Sequence, residues 1–244
     1  MPAQHSIEHG HSSAEIAARL ADGPKASYLR DWVYGGIDGA VTTFAIVAGV
    51  VGADLSARVV LILGAANLLA DGFSMAAGNY SATKAERDDH ERLRRMEERH
   101  IRLVPEGERE EIRQLFQAKG FEGADLNRAV EVITSSTTRW VDMMMAEEHG
   151  VPPVTRSPMM AGVATFAAFL VCGLVPLLPF VAGLAAASVT LSVTMTAVVF
   201  FAIGSMKSRW STTSWWWSGA ETLLIGLGAA GVAYVVGVIL KTLV

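Results

Sequence analysis

Residues 157–206 contain no Asp, Glu, Lys, Arg or His. As one helix this 50-residue run would extend about 75 Å at 1.5 Å per residue, more than twice the roughly 30 Å hydrocarbon core of a bilayer. No soluble core helix has that length without a charge. The chain is therefore read as an integral membrane protein, although its averages (51% hydrophobic, net charge −4) suit an ordinary soluble one. The averages mislead because the charges are segregated. Residues 82–157 hold 13 basic and 16 acidic side chains, 29 of the chain's 44 charges. A near-neutral net charge argues against a nucleic-acid partner. The single cysteine, Cys172, allows no intrachain disulfide.

Five segments are long and apolar enough to span. They are Trp32–Val51, Val59–Ala82, Met159–Leu178, Leu184–Met206 and Ser218–Leu240. Pro176, Pro179 and Gly183 mark the turn that divides the uncharged run in two. The runs do not alternate at period two, so helices rather than a barrel are expected. Positive charge sets the sidedness. With five spans, 18 of the 20 Lys/Arg fall on the side of the N-terminus, of residues 82–157 and of the link Lys207–Trp217; only Arg58 and Lys241 face the other. That side is read as the cytoplasm, with the C-terminus outside. Trp210 and Trp215–Trp217 fit an aromatic belt there. The first 27 residues hold no apolar stretch of signal-peptide type. His5, His9 and His11 suit either a mobile tail or a weak metal-binding arm.

No helix breaker lies between Gly78 and Pro105, so the second span is expected to run on as one rod to about Leu103. A second insert helix is expected over about 106–119 and a third over about Asp125–Glu148, ended by Pro152 and Pro153. The chain then divides into an N-terminal cytoplasmic segment (1–30), spans one and two (31–82), a three-helix cytoplasmic domain (83–157) and spans three to five (158–244). The fold class is an all-α polytopic membrane protein. Leu126, Val130, Ile133, Thr137, Trp140 and Met144 form one apolar stripe on the third insert helix.

Helical spacing groups several donor atoms. Met144, Met145 and Glu148 share a side at the end of that helix; Glu97 and His100 are one turn apart, as are Glu108 and Glu111. Carboxylate oxygen with thioether sulfur suits a divalent transition ion better than Ca2+ or Mg2+. The same carboxylates could equally be solvated partners of the insert's arginines. Within the spans, Asp38, Asp71 and Glu221 interrupt apolar sequence, at about 2.5–3.5 kcal/mol each for a mid-membrane carboxylate. Asn67, Asp71 and Met75 stand at i, i+4 and i+8, an amide, a carboxylate and a thioether along one face. That reads as a cation pathway, with structural helix–helix hydrogen bonding as the alternative. Metal binding at such a carboxylate displaces a proton, a basis for proton-coupled exchange. Glu221 lies close enough to the interface to pair with Lys207 or Arg209. Gly35 and Gly39 form a G-x-x-x-G that admits a second helix.

These residues together resemble a known family. Asp38-Gly39-Ala40 followed by Phe44-Ala45-Ile46-Val47-Ala48-Gly49-Val50 is similar to the first-span signature of the vacuolar iron transporters. Asn67 to Tyr80 (N-L-L-A-D-G-F-S-M-A-A-G-N-Y) is similar to the second, and Asp142 to Gly150 (D-M-M-M-A-E-E-H-G) to the end of the family's cytoplasmic domain. The resemblance covers residues 30–244. It implies a homodimer that moves Fe2+, and often Mn2+, out of the cytosol in exchange for protons, along a path between first and second spans at the dimer interface. Carried over by position, it implies pathway roles for Asp38 and Met75, and metal ligation by Glu97, Glu108, Glu111, Met144, Met145 and Glu148. Two positions depart from the family pattern: Asn67 and His100 each stand where a glutamate is found. Asn67 cannot carry the charge or the proton, which turns attention to Asp71. His100 can still ligate. No organic cofactor is implied; the bound or transported ions are Fe2+, with Mn2+, Zn2+ or Co2+ as alternatives. The Ala/Arg-rich composition suggests a bacterial plasma membrane.

Two other functions are weighed. A membrane-anchored di-iron oxidase of ferritin type would use the E-x-x-H at Glu97–His100, but such sites take two of these motifs and a Glu from each of two further helices. A metal-sensing membrane protein would leave the stacked second-span donors idle.

Overall fold

The computed structural model describes residues 10–151, 156–184 and 187–243. His5, His9, Pro152 and Pro153 lie outside the described residues. Among those described, the chain is helical with no strand, and five helices are long and apolar enough to cross a membrane. In order they are α1 (Ser13–Asp22), α2 (Leu29–Gly52), α3 (Ala57–Leu103), α4 (Pro105–Ala118), α5 (Gly123–Thr134), α6 (Thr137–Glu147), α7 (Pro158–Leu174), α8 (Leu178–Val181), α9 (Ser188–Lys207) and α10 (Trp215–Leu243). Two compact units result. One holds Asp89–Thr155 with the residues up to Ser27; the other holds Tyr28–Asp88 and Arg156–Val244. The expected rod is present: α3 is one helix of 47 residues, and its sequence belongs in part to each unit.

The membrane-type unit is built on close backbone approach. A Cβ on Gly35 or Gly39 would fall against the carbonyl oxygen of Thr165 or Phe169, so this glycine pair is what brings α2 against α7. Phe169, Ala40, Val47 and Phe200 are buried around that contact, with the Phe44 and Phe200 rings edge-on at 6.4 Å. The expected turn carries α7 through a short 3-10 segment, Val175–Leu177, into α8. Serines of α9 reach back to it: Ser192 Oγ donates to Pro176 O at 2.7 Å and Ser188 Oγ to Pro179 O at 3.2 Å. Backbone acceptors inside a bilayer need partners of this kind.

A buried ion pair ties three helices of this unit together. Asp31, 6% exposed, accepts from Arg156 Nη1 at 2.8 and 3.1 Å and from Asn79 Nδ2 at 2.8 Å. Asn79 Nδ2 also donates to Thr165 Oγ1 at 2.7 Å, and Tyr28 OH accepts the Ser157 amide at 2.8 Å. The sequence reading began the first span at Trp32 and passed over this group.

The other unit differs from expectation in one place. The helix expected over about Asp125–Glu148 is two, α5 and α6, divided at Ser135 and Ser136. The run Thr134–Thr138 is all short hydroxyl side chains, which compete for backbone groups. Ser135 Oγ donates to Val132 O at 2.8 Å, and Thr134 Oγ1 to Val130 O at 2.9 Å. The insert therefore has α4, α5 and α6 after the extension of α3, rather than three helices in all. The apolar stripe survives the break. Leu126, Val130, Trp140 and Met144 are buried with Ile101 and Ile112, whereas Thr137 is exposed. Helix α1 was not anticipated, though Ser12 and Glu15 form a capping box in the S-x-x-E pattern.

Replacing Arg156 by Met leaves the Asp31 carboxylate buried without a cation. The expected loss is on the order of 3 kcal/mol, read as a lower thermal unfolding midpoint in detergent; an unchanged midpoint would contradict the role given to the pair.

Candidate metal sites

Polar side chains gather at two places, one in each unit. In the unit containing α4–α6, Glu97 and His100 project from α3, Glu108 and Glu111 from α4, and Met144, Met145, Glu148 and His149 from the end of α6. Glu97 is 1% exposed and Glu108 5%. His149 Nε2 lies 3.0 Å from Glu97 Oε1 and 4.0 Å from Glu148 Oε2. His100 Nδ1 lies 3.4 Å from Glu108 Oε1. Donor atoms of Glu97, Glu148 and His149 all fall within 4.8 Å of one another. Met144 and Met145 are buried in the apolar core of the unit.

Charge bookkeeping sets these carboxylates apart from their neighbours. Arg94 lies 2.7 Å from Asp142 and 3.6 Å from Glu98, Lys119 is 2.7 Å from Glu147, and Arg113 is 3.3 Å from Glu110. Among the described residues, no Lys or Arg stands within ion-pair distance of Glu97, Glu108, Glu111 or Glu148. The Oε2 atoms of Glu97 and Glu108 are buried with no hydrogen-bond partner among the described residues. The reading of these acids as partners of the insert's arginines therefore does not hold for this group. Burial pushes the Glu108 carboxyl up to about 7; the charges of Glu111, Glu97 and Glu148 push the same way, and so does a hydrogen bond that the protonated carboxyl shares with Glu97. Burial also raises Glu111; Glu148 and Glu97 add to that shift, and His100 and His149 oppose it.

The electrostatic interactions of Glu108 and Glu111 thus join the sequence-expected residues Glu97, His100, Glu108, Glu111 and Glu148 in one cluster, and His149 joins them. The spacing argument did not group His149, although it stands beside Glu148, four residues after Met145.

The second place lies in the membrane-type unit. Asp38 of α2 and Met75 of α3 line one cavity of about 690 Å3, shared with Arg30, Tyr34, Lys207 and Trp210. Asn67, Asp71 and Met75 are all half-buried, and the stripe continues to Asn79. Asn67 Nδ2 donates to Thr42 Oγ1 at 3.3 Å, which joins the stripe to α2. Asp71 does not line the cavity, although its charge interacts with that of Asp38. Glu221 is engaged by Lys207 Nζ at 3.2 Å, as its position near the interface suggested.

Below pH 7 the native chain holds a proton on Glu108; an ordinary carboxyl near 4.5 would have released it. The native state therefore binds more protons between about 4.5 and 7, and stability falls as pH rises through that window. The metal-free protein is expected to melt lower at pH 8 than at pH 5, and Glu108→Gln to flatten that slope. A profile identical in the two proteins would contradict it. Divalent ion should restore the wild-type midpoint at pH 8.

Residues 29–238 match the model of the VIT family. A vacuolar iron transporter of Toxoplasma gondii (strain ATCC 50861 / VEG) is 36% identical over 233 residues, which cover 90% of this chain and 76% of that protein. Vacuolar iron transporter 1 of Eucalyptus grandis is 30% identical over 233 residues, covering 92% and 94%. Vacuolar iron transporter 1 of Arabidopsis thaliana is 31% identical over 208 residues, covering 84% and 83%.

Proposed function

The chain belongs to the VIT family, and on that premise we propose that it is a proton-coupled divalent-metal transporter exporting Fe2+, with Mn2+ as a second cargo, from the cytosol. The observation that carries this reading is the cavity in which a carboxylate and a thioether from two different spans, Asp38 and Met75, face the same space. A hard and a soft donor together suit a first-row divalent ion. The names of the relatives give iron as their cargo.

In this reading residues 1–30 and 83–157 are cytoplasmic, the C-terminus is outside, 31–82 and 158–244 form the spans, and the membrane is a bacterial plasma membrane. The working form is a homodimer. The 83–157 domain collects the ion on Glu97, His100, Glu108, Glu111 and Glu148, with Met144 and Met145 as thioether donors. Four carboxylates with no Lys or Arg partner among the described residues support that role, since a dication supplies the charge they lack. Asp38 and Met75 then hold the ion in the membrane, and Asp71 provides the second intramembrane carboxylate where Asn67 cannot. A carboxylate must be deprotonated to bind a dication, so ion binding releases a proton and reprotonation releases the ion. Zn2+ and Co2+ compete for the same donors, and availability decides among them.

The test is flux in proteoliposomes. Fe2+ transport should increase with an opposing proton gradient, and Asp38→Ala should reduce it at least about a hundredfold, beyond the roughly 10–100-fold that loss of a ligand's outer-shell partner costs. Normal flux by that variant would reject the assignment. Flux indifferent to the gradient would reject the coupling alone.

A further inference from the structure

We propose that His149 ligates the collected ion through Nε2, and that this nitrogen donor tilts the cluster toward Zn2+, Co2+ and Fe2+ over Mn2+. The proposal rests on the metal-collecting role given above to residues 83–157. It adds a residue that no spacing argument or family signature had singled out for ligation.

The geometry brings three donor atoms close together. Nε2 faces two carboxylates at once, Glu97 at 3.0 Å and Glu148 at 4.0 Å. In a tetrahedral set, donors about 2.1 Å from the ion stand about 3.4 Å apart. The group of three, within 4.8 Å, therefore needs closure of about 1.4 Å at most. The second carboxylate oxygen of Glu97 is buried at a residue 1% exposed and has no partner among the described residues. A carboxylate so desolvated needs a cation as well as a hydrogen bond.

The imidazole is held in place. The amides of Glu148 and His149 both donate to Met144 O, at 3.0 and 3.3 Å. Beyond them Gly150 turns the chain at φ +64°, and the Val151 amide donates to Met145 O at 2.9 Å. That left-handed position is one glycine adopts without strain. His149 is 16% exposed in its side chain, open enough for an ion to arrive and covered enough to be fixed. The end of α6 also favours a cation through its backbone carbonyls. Imidazole suits zinc, iron and nickel, whereas an all-carboxylate set suits manganese and magnesium.

A purely structural His149 would only donate a hydrogen bond to Glu97, and pulsed EPR separates the two roles. Full-length protein in detergent is loaded with one equivalent of Mn2+, in a His100→Gln background that removes the neighbouring imidazole. An imidazole nitrogen coupling is expected, and it should vanish in His149→Gln and in His149→Asp, the latter retaining an oxygen donor. The ratio of Zn2+ to Mn2+ affinity should fall about tenfold in both. A coupling that survives both substitutions, or an equal affinity loss for both ions with no coupling before or after, would overturn the ligand role and leave the metal-collecting reading standing. Failure of that reading looks different: wild-type protein that binds neither ion, or full binding kept by the Glu97→Gln/Glu108→Gln double variant.

Discussion

A carboxylate removed from water has to meet a cation, and the two units answer that demand in opposite ways. In the membrane-type unit Asp31 is buried and finds Arg156, with Asn79 and Thr165 completing the hydrogen bonds. The pair is internal, so it works as a structural tie between α2, α3 and the segment leading into α7. In the other unit Glu97 and Glu108 are buried as deeply and find no Lys or Arg among the described residues. Burial, with like charges around it, raises the Glu108 carboxyl to about 7, and among the described residues no donor group reaches the Oε2 atoms of Glu97 and Glu108. One group of acids is neutralised within the fold; the other is the group to which we assign metal collection.

The same contrast explains why a carboxylate-rich helix need not be a solvated one. The insert carries many arginines and lysines, and several pair with surface acids, among them Asp142, Glu98, Glu147 and Glu110. Glu97, Glu108, Glu111 and Glu148, which the helix ends bring together, have no Lys or Arg partner among the described residues. In the proposed collecting role, selectivity depends on the minority donors, the thioethers and imidazoles, because carboxylate oxygen by itself discriminates little among divalent ions.

Within the membrane the deciding constraint is backbone proximity. Gly35 and Gly39 let α2 lie against the carbonyls of α7, and the polar groups that remain are satisfied by neighbours such as Ser192 on Pro176. Asp38 stands one residue before Gly39 and so belongs to a helix whose position is tightly set. That is a useful property in a residue that shares a cavity with Met75 of another helix.

Much of this was legible in the linear sequence. Charge segregation identified the five spans, and the absence of a breaker between Gly78 and Pro105 foretold the single long α3, because both depend only on composition and local backbone preference. Periodicity placed Asn67, Asp71 and Met75 on one face for the same reason. Folding alone decided the rest. The Asp31–Arg156 pair joins residues 125 apart, and His149 enters the cluster because the end of α6 meets Glu97, 52 residues earlier. Local rules determine which residues share a helix face. Which faces meet, and so which acids keep a counter-charge and which do not, is decided only when distant segments pack.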